Sequence, residues 1–336
     1  MGTVTTVLGE VDGAQLGRVM PHEHLLSLLP GRWLSGGAQD DAIEVAVRAV
    51  SALRDRGFGT VVDLSPYGVV GRDEAGANAA ALAEISHRSG LHIVSGTAVY
   101  LESYAPAWAR AASVSELAAR LVSDAGEGIG SSGVRAGVFG EQATSLGEIT
   151  AFEERMLRAA ARAQRETGLS IMTHTTHGTM AQEQLDVLLG EGADPAGIVI
   201  GHVDTQLHLD AARRILDRGA GIAIDTIGKQ TWDFFLGPEP ARRADGEFAK
   251  RSFFRADEGR ADMVATLVAE GYGDRILLAQ DLTGAELWMN PGTHGAWGYA
   301  YLDEVFLPML AERGVSAEAV DRLCRTNPAR VLEGIR

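Results

Sequence analysis

The feature that most restricts the fold is an alternation running from residue 19 almost to the C-terminus. Short apolar runs rich in β-branched residues occur at 19–26 (VMPHEHLL), 60–64, 92–99, 136–141, 170–174, 197–202, 221–225 and 276–281. Between them, apolar positions recur at helical spacing over 41–56, 74–89, 114–124, 150–168, 179–190, 208–218 and 258–271. Helical stretches at 299–313, 316–325 and 328–333 finish the chain. Eight strands, each followed by a helix, are the pattern of an α/β (β/α)8 TIM barrel. A doubly wound open sheet shares that alternation, so pattern alone leaves it open. Ahead of the first strand, residues 3–18 alternate small and β-branched residues around Asp12-Gly13. Asp-Gly is a hairpin signal, which predicts a short N-terminal β-hairpin flap closing one end of the barrel. No linker or low-complexity stretch interrupts the chain, so residues 1–336 read as a single domain.

Composition excludes several classes. A net charge of −15 argues against a nucleic-acid binder, which needs a basic face. The one cysteine, Cys324, rules out an internal disulfide and falls in an apolar helical pattern, which reads as a buried thiol. The N-terminus lacks a signal-peptide pattern and no run of about 18 apolar residues occurs. The expectation is a cytoplasmic protein with no membrane partner.

The chemistry-bearing residues fall on this map in a pattern. On a strand, His22 and His24 share one face, about 7 Å apart along the chain, and Glu23 faces the other way. An isolated His-x-His is common; its company gives this one weight. Glu141 ends the predicted fourth strand, His174 the fifth, His202 the sixth and Asp281 the eighth. In a TIM barrel, groups at the C-terminal ends of strands project into one shared mouth. Four histidines and two carboxylates are enough for two divalent metal ions, with zinc first and Mn2+, Co2+ or Fe2+ compatible. Such a pair holds a bridging water as hydroxide near neutral pH, and Asp281 is placed to move its proton. Any one of these histidines alone reads better as structural, but coincidence does not place six such residues at one end of five strands. His177 and His294 lie in mouth loops and read as solvent-facing. The G-x-G-x-x-G match at 128–133 follows a helix and precedes a strand, the reverse of a dinucleotide site.

Two long loops complete the mouth. The excursion 226–257 carries Trp232, Phe234, Phe235, Phe248, Phe253 and Phe254, and the loop after the eighth strand carries Trp288, Met289 and Trp297. Loops of this length are usually functional, and their aromatics line a pocket, anchor the loops or form a dimer contact. Lys229, just past the seventh strand, offers a point charge for a substrate carboxylate, sulfonate or phosphate. Tyr100, after the third, offers a hydroxyl to a substrate oxygen or packs beneath a loop.

Taken in order, TTVLGEV, PHEHL, the strand ending in Glu141, MTHT at His174, IGHVD at His202, LLAQD at Asp281 and TNPARVL at 326–332 resemble the phosphotriesterase family of the amidohydrolase superfamily. The resemblance implies a (β/α)8 barrel, a homodimer and a binuclear centre. In that centre His22, His24 and Asp281 would bind one metal, and His174 and His202 the other. The best-known members bridge the metals with a carboxylated lysine, whereas GVFGEQATS offers Glu141. This looks like the glutamate-bridged branch, the phosphotriesterase homology proteins, and IDTIGK at 224–229 resembles it too. Thr226 and Ile227 follow Asp225 where organophosphate-hydrolysing and lactonase members often carry a basic or imidazole side chain. Phosphotriester hydrolysis is therefore expected at most as a side reaction. The expected activity is hydrolysis of a small molecule at a carbonyl centre, a lactone or carboxylic ester first. Amide hydrolysis of small N-acyl amino or sulfonic acids is the alternative.

Overall fold

The N-terminal residues do form a hairpin, β1 (Thr3–Thr6) against β2 (Gly9–Asp12), in this computed structural model, which describes residues 2–26, 39–68, 72–233, 252–284, 286 and 298–335. Its turn is Val7-Leu8 rather than Asp12-Gly13: Thr6 pairs with Gly9, and the Thr6 hydroxyl donates to the Gly9 carbonyl at 2.7 Å. Asp12 instead starts a 3-10 turn, Gly13–Gln15, accepting from the Ala14 N–H in a capping box with Gln15. The same Asp-Gly pair suits a cap as well as a turn, and the cap is used.

The eight apolar runs become parallel strands: β3 (Arg18–Glu23), β4 (Phe58–Asp63), β5 (His92–Ser95), β6 (Phe139–Thr144), β7 (Ile171–Thr175), β8 (Ile198–Ile200) and β9 (Gly221–Ile224), with β12 (Ile276–Leu278) last. A small antiparallel ribbon, β10 (Thr231–Asp233) with β11 (Ser252–Phe254), stands inside the excursion after β9. Ladders join β3-β4-β5 and β6-β7-β8-β9-β12. A bridge from Gly96 to Val138 connects β5 to β6, and one from His24 to Thr283 connects the last strand to the first. The sheet closes, so the open-sheet alternative falls and the fold is a TIM barrel.

Two apolar layers hold it. Val19, Val62, Leu64, Val94, Val138, Met172, Val199, Ala223 and Leu277 fill the interior, each buried. Val4 of the hairpin, with Leu16, Val331 and Leu332, belongs to the same cluster, so the flap and the C-terminal helix plug one end. A second, larger cluster lies between strands and helices, and Cys324 is buried in it. Local signals place the helices: Ala151–Thr167 begins at a Thr150/Glu153 capping box and stops at Gly168, whose φ of 79° a left-handed cap requires.

Some boundaries differ from expectation. Glu141 lies within β6, not at its end, because the ladder to β7 continues past it, pairing Gln142, Ala143 and Thr144 with Thr173, His174 and Thr175. His202 and Asp281 lie just beyond their strands with φ of 56° and 52°, left-handed backbone that is uncommon outside glycine. Phe234, Phe235, Phe248, Trp288, Met289, His294 and Trp297 fall outside the described residues, as do the side chains of Trp232, Phe253 and Phe254.

The seam between first and last strands is joined by an isolated bridge, His24 to Thr283, instead of a ladder. Glu23, fully buried on the face opposite the histidines, reinforces it by accepting from the Gln280 N–H at 2.9 Å and the Leu282 N–H at 2.7 Å. Those two bonds bracket Asp281. Glu23→Ala strands both donors away from water, at about 1–3 kcal/mol each. A loss of about 2–6 kcal/mol is expected in urea unfolding of the metal-free protein, whereas the exposed Glu10→Ala should change little.

Candidate metal centre

β3 delivers His22, and the residue just past its end, His24, to the mouth with ring centroids 5.4 Å apart. Both turn Nε2 toward Glu141, His22 at 3.3 Å from Oε2 and His24 at 3.4 Å from Oε1. The same Oε2 also meets His174 Nδ1 at 3.1 Å and His202 Nε2 at 3.6 Å. Asp281 Oδ1 lies 3.2 Å from His24 Nε2 and 3.8 Å from His22 Nε2. All six residues expected from the sequence are therefore brought together, with Glu141 in contact with all four imidazoles. The donor atoms of His22, His24 and Glu141 lie within 4.8 Å of one another, and so do those of Glu141, His174 and His202.

Asp225 fixes the orientation of this set. Its Oδ1 accepts from His202 Nδ1 at 2.9 Å and from the His202 backbone N–H at 2.8 Å, while Oδ2 sits 2.9 Å from His22 Nδ1. One carboxylate thus turns Nε2 of two rings inward, the arrangement that holds metal-binding histidines in place. In the sequence Asp225 stands only as part of a branch motif. Its position at the C-terminal end of the seventh strand, like the other site residues, was the available signal. Gly201 is part of the same construction, because a Cβ there would collide with the Thr173 carbonyl and lie 3.1 Å from Asp225 Oδ2. Ser65 Oγ lies 3.2 Å from His24 Nδ1. His174 Nε2 faces Thr176 Oγ1 at 3.2 Å, and the Tyr100 hydroxyl lies 3.5 Å from the same nitrogen.

The electrostatics call for positive charge. Burial alone would depress His22, but Asp225 and then Glu141 overcome it and lift the imidazole to about 10. His202 is likewise raised against burial, chiefly by Asp225. His174 moves down, through burial and the neighbouring His202. Against the burial that favours their neutral forms, Glu141 is held below the usual carboxylate range by His24 and His174, and Asp281 by Lys229 and His24. The metal-free cluster therefore keeps protons on His22 and His202. His22 Nε2, fully buried, makes no hydrogen bond. A buried nitrogen without a hydrogen bond, among carboxylates that need a cation, fits a metal centre.

Lys229 reaches the site, but its ammonium is engaged with protein carboxylates, 2.8 Å from Asp281 Oδ2 and 3.4 Å from Glu286. Those charges raise it despite burial. His177 is not solvent-facing: it is buried, and burial with the nearby His202 and His174 brings it down to about 4.

Because metal must displace protons from raised imidazoles, apparent affinity should climb as pH rises toward about 10 and weaken as pH falls. Chelator competition at several pH values reads this directly. In the same assay Asp225→Asn should weaken binding about 10–100-fold while far-UV circular dichroism stays native.

The chain is similar to known proteins over nearly its whole length. The profile of the phosphotriesterase family matches residues 2–332. The phosphotriesterase homology protein of Escherichia coli (strain K12) is 30% identical over 317 residues, spanning 94% of this chain and 98% of its own length. The N-acetyltaurine hydrolase of Danio rerio is 27% identical over 98% of both chains. Among solved structures, a mutant PTE-like lactonase of Deinococcus radiodurans superposes with a TM-score of 0.83 at 34% identity, covering 98% of this chain and 100% of that one. With a family profile spanning nearly its whole length and a barrel that superposes on these enzymes, the chain belongs to the phosphotriesterase family of metal-dependent hydrolases.

Proposed function

We propose that this chain hydrolyses a lactone or carboxylic ester at the cluster formed by His22, His24, Glu141, His174, His202 and Asp281. The position of Glu141 carries the reading: a buried carboxylate with His24 on one oxygen and His22, His174 and His202 around the other stands where a bridge between two ions would. His22, His24 and Asp281 would hold one divalent ion and His174 and His202 the other, with zinc the best match to imidazole donors and Mn2+, Co2+ or Fe2+ compatible. When bound, the ions polarise the carbonyl and acidify the attacking water.

The protein's own groups do the rest. Asp281, kept ionised by Lys229, accepts the proton of the water that adds to the carbonyl carbon. It returns that proton to the alkoxide released when the acyl carbon–oxygen bond breaks. The Tyr100 hydroxyl stays protonated, raised by burial and by Glu141 and Asp281, so it can donate to a substrate oxygen near His174. The PTE-like lactonase among the structural neighbours supports this substrate class.

A second reading, amide hydrolysis of small N-acyl amino or sulfonic acids, is favoured by one observation. The Lys229 ammonium beside Asp281 offers a cation to a substrate carboxylate or sulfonate, and N-acetyltaurine hydrolases are among the relatives. The amine must leave protonated, so Asp281 would matter more. Phosphotriester hydrolysis ranks third, as a side reaction. On the family resemblance we further infer that residues 1–336 act as one unit, in a homodimer, on small molecules in the cytoplasm. Among the described residues no helix is long and apolar enough to cross a membrane.

Product analysis on lactones, esters, N-acyl amino and sulfonic acids and organophosphates, with metal-loaded and chelated protein, tests both readings. Chelator-sensitive turnover of lactones or esters is expected. Turnover confined to amides would replace the first reading with the second, and Lys229→Met should then raise KM for the anionic substrates. Asp281→Asn should lower kcat by about 10²–10⁴ in either case, and an unchanged rate would remove Asp281 from the chemistry.

A further inference from the structure

Behind the metal centre lies a buried polar network that the hydrolysis above leaves unused. Its hub is Arg260, fully buried in the helix Asp257–Ala269. Nε donates to Asp204 Oδ2 at 2.7 Å, and Nη1 to Asp257 Oδ1 and the Arg255 carbonyl, each at 2.7 Å. Nη2 donates to Thr226 Oγ1 at 2.8 Å and the Lys229 carbonyl at 3.2 Å. That uses all five N–H groups of a guanidinium.

The two carboxylates on Arg260 converge on the same short turn. Asp204 accepts from the Asp225 N–H at 3.4 Å, the Thr226 N–H at 3.2 Å and the Thr226 hydroxyl. Asp257 accepts from the Gly228 N–H at 3.1 Å and from the Tyr301 hydroxyl at 2.6 Å. Residues 225, 226, 228 and 229 are thus each held by Arg260 or by a carboxylate that Arg260 binds. The first and last of them enter the metal centre. Asp225 orients His22 and His202, one imidazole from each pair, and Lys229 holds Asp281.

We propose that Arg260 is a positioning residue for the centre. By clamping the turn 225–229 it sets where Asp225 and Lys229 stand relative to one another, and so ties the orientation of the histidines to that of Asp281. The physical reason is the fork. Two carboxylates, a hydroxyl and two carbonyls are addressed at fixed angles by one planar cation, which a lysine of equal charge cannot reproduce. Small displacements matter at such a centre, because supporting groups around metal ligands control affinity. The proposal rests on the metal-centre reading of the preceding subsection.

The test uses Co2+ and the full-length protein, reading affinity by chelator competition and ligand geometry from the visible absorption of the bound ion. Arg260→Lys keeps the charge. Thr226→Val keeps the volume and removes a single hydroxyl, so a folded variant remains even where Arg260→Lys unfolds. Gln164→Leu is the structural control, since Gln164 is buried between helix Ala151–Thr167 and the Asp194–Gly197 turn, at the N-terminal side of β8. Arg260→Lys should weaken Co2+ binding about 10–100-fold and alter the spectrum, with Thr226→Val changing both in the same direction by less. Gln164→Leu should lower the melting temperature and leave affinity and spectrum at wild-type values. Wild-type Co2+ affinity and spectrum in folded Arg260→Lys and Thr226→Val, with only the melting temperature lowered, would overturn the proposal. A wild-type protein that binds no Co2+ would instead overturn the metal-centre reading, and the proposal with it.

Discussion

Glu141, Asp225 and Asp281 crowd three carboxylates into one barrel mouth beside four imidazoles, and the rest of the molecule is arranged around that concentration of charge. Isolated buried carboxylates are costly, and they persist where cations face them. Here the cations on hand are the imidazoles of His22 and His202, both raised, and the Lys229 ammonium, each 2.8–2.9 Å from a carboxylate oxygen. Everything near the mouth serves to keep that balance in a fixed shape: the strands that present the rings, the left-handed backbone at His202 and Asp281, and the hydroxyls of Ser65 and Thr176 on the outward nitrogens.

Much of this was legible in the sequence, for a definite reason. Strand side chains alternate with period two, so a His-x-His written across the end of an apolar run fixes both rings on one face. The barrel then sends the ends of all eight strands to one place, so residues scattered from 22 to 281 meet without any contact being predicted. The resemblance to the phosphotriesterase family added which imidazoles pair. The family profile and the structural superposition bear out the family and the barrel.

What was missed depends on contacts that no period encodes. Asp225 gained its role from the nitrogens of two histidines on other strands, His22 and His202, and a sequence lists neither the distance nor the angle. The pairing that carries β6 past Glu141 is made with residues 173–175 of β7. Asp12-Gly13 supported two local structures equally, and the packing of Val4 against Leu16 and the C-terminal helix accompanies the one adopted. His177 looked like loop surface because its burial is supplied by neighbouring loops, including His202 and Gln206, and not by its own segment.

Glu23 and its two backbone partners have one further meaning. The bond from Leu282 to Glu23 spans 259 residues, nearly the whole chain, and it joins the same two strands that supply His22 and His24 on one side and Asp281 on the other. This half of the centre therefore has no existence in any partial barrel: the first and last strands must meet before its donors share a neighbourhood. Contacts of such separation carry the largest loop-closure cost in the fold. An ion gripped there would act as a clasp on the ring of strands, so that loading the centre and completing the barrel become a single thermodynamic event.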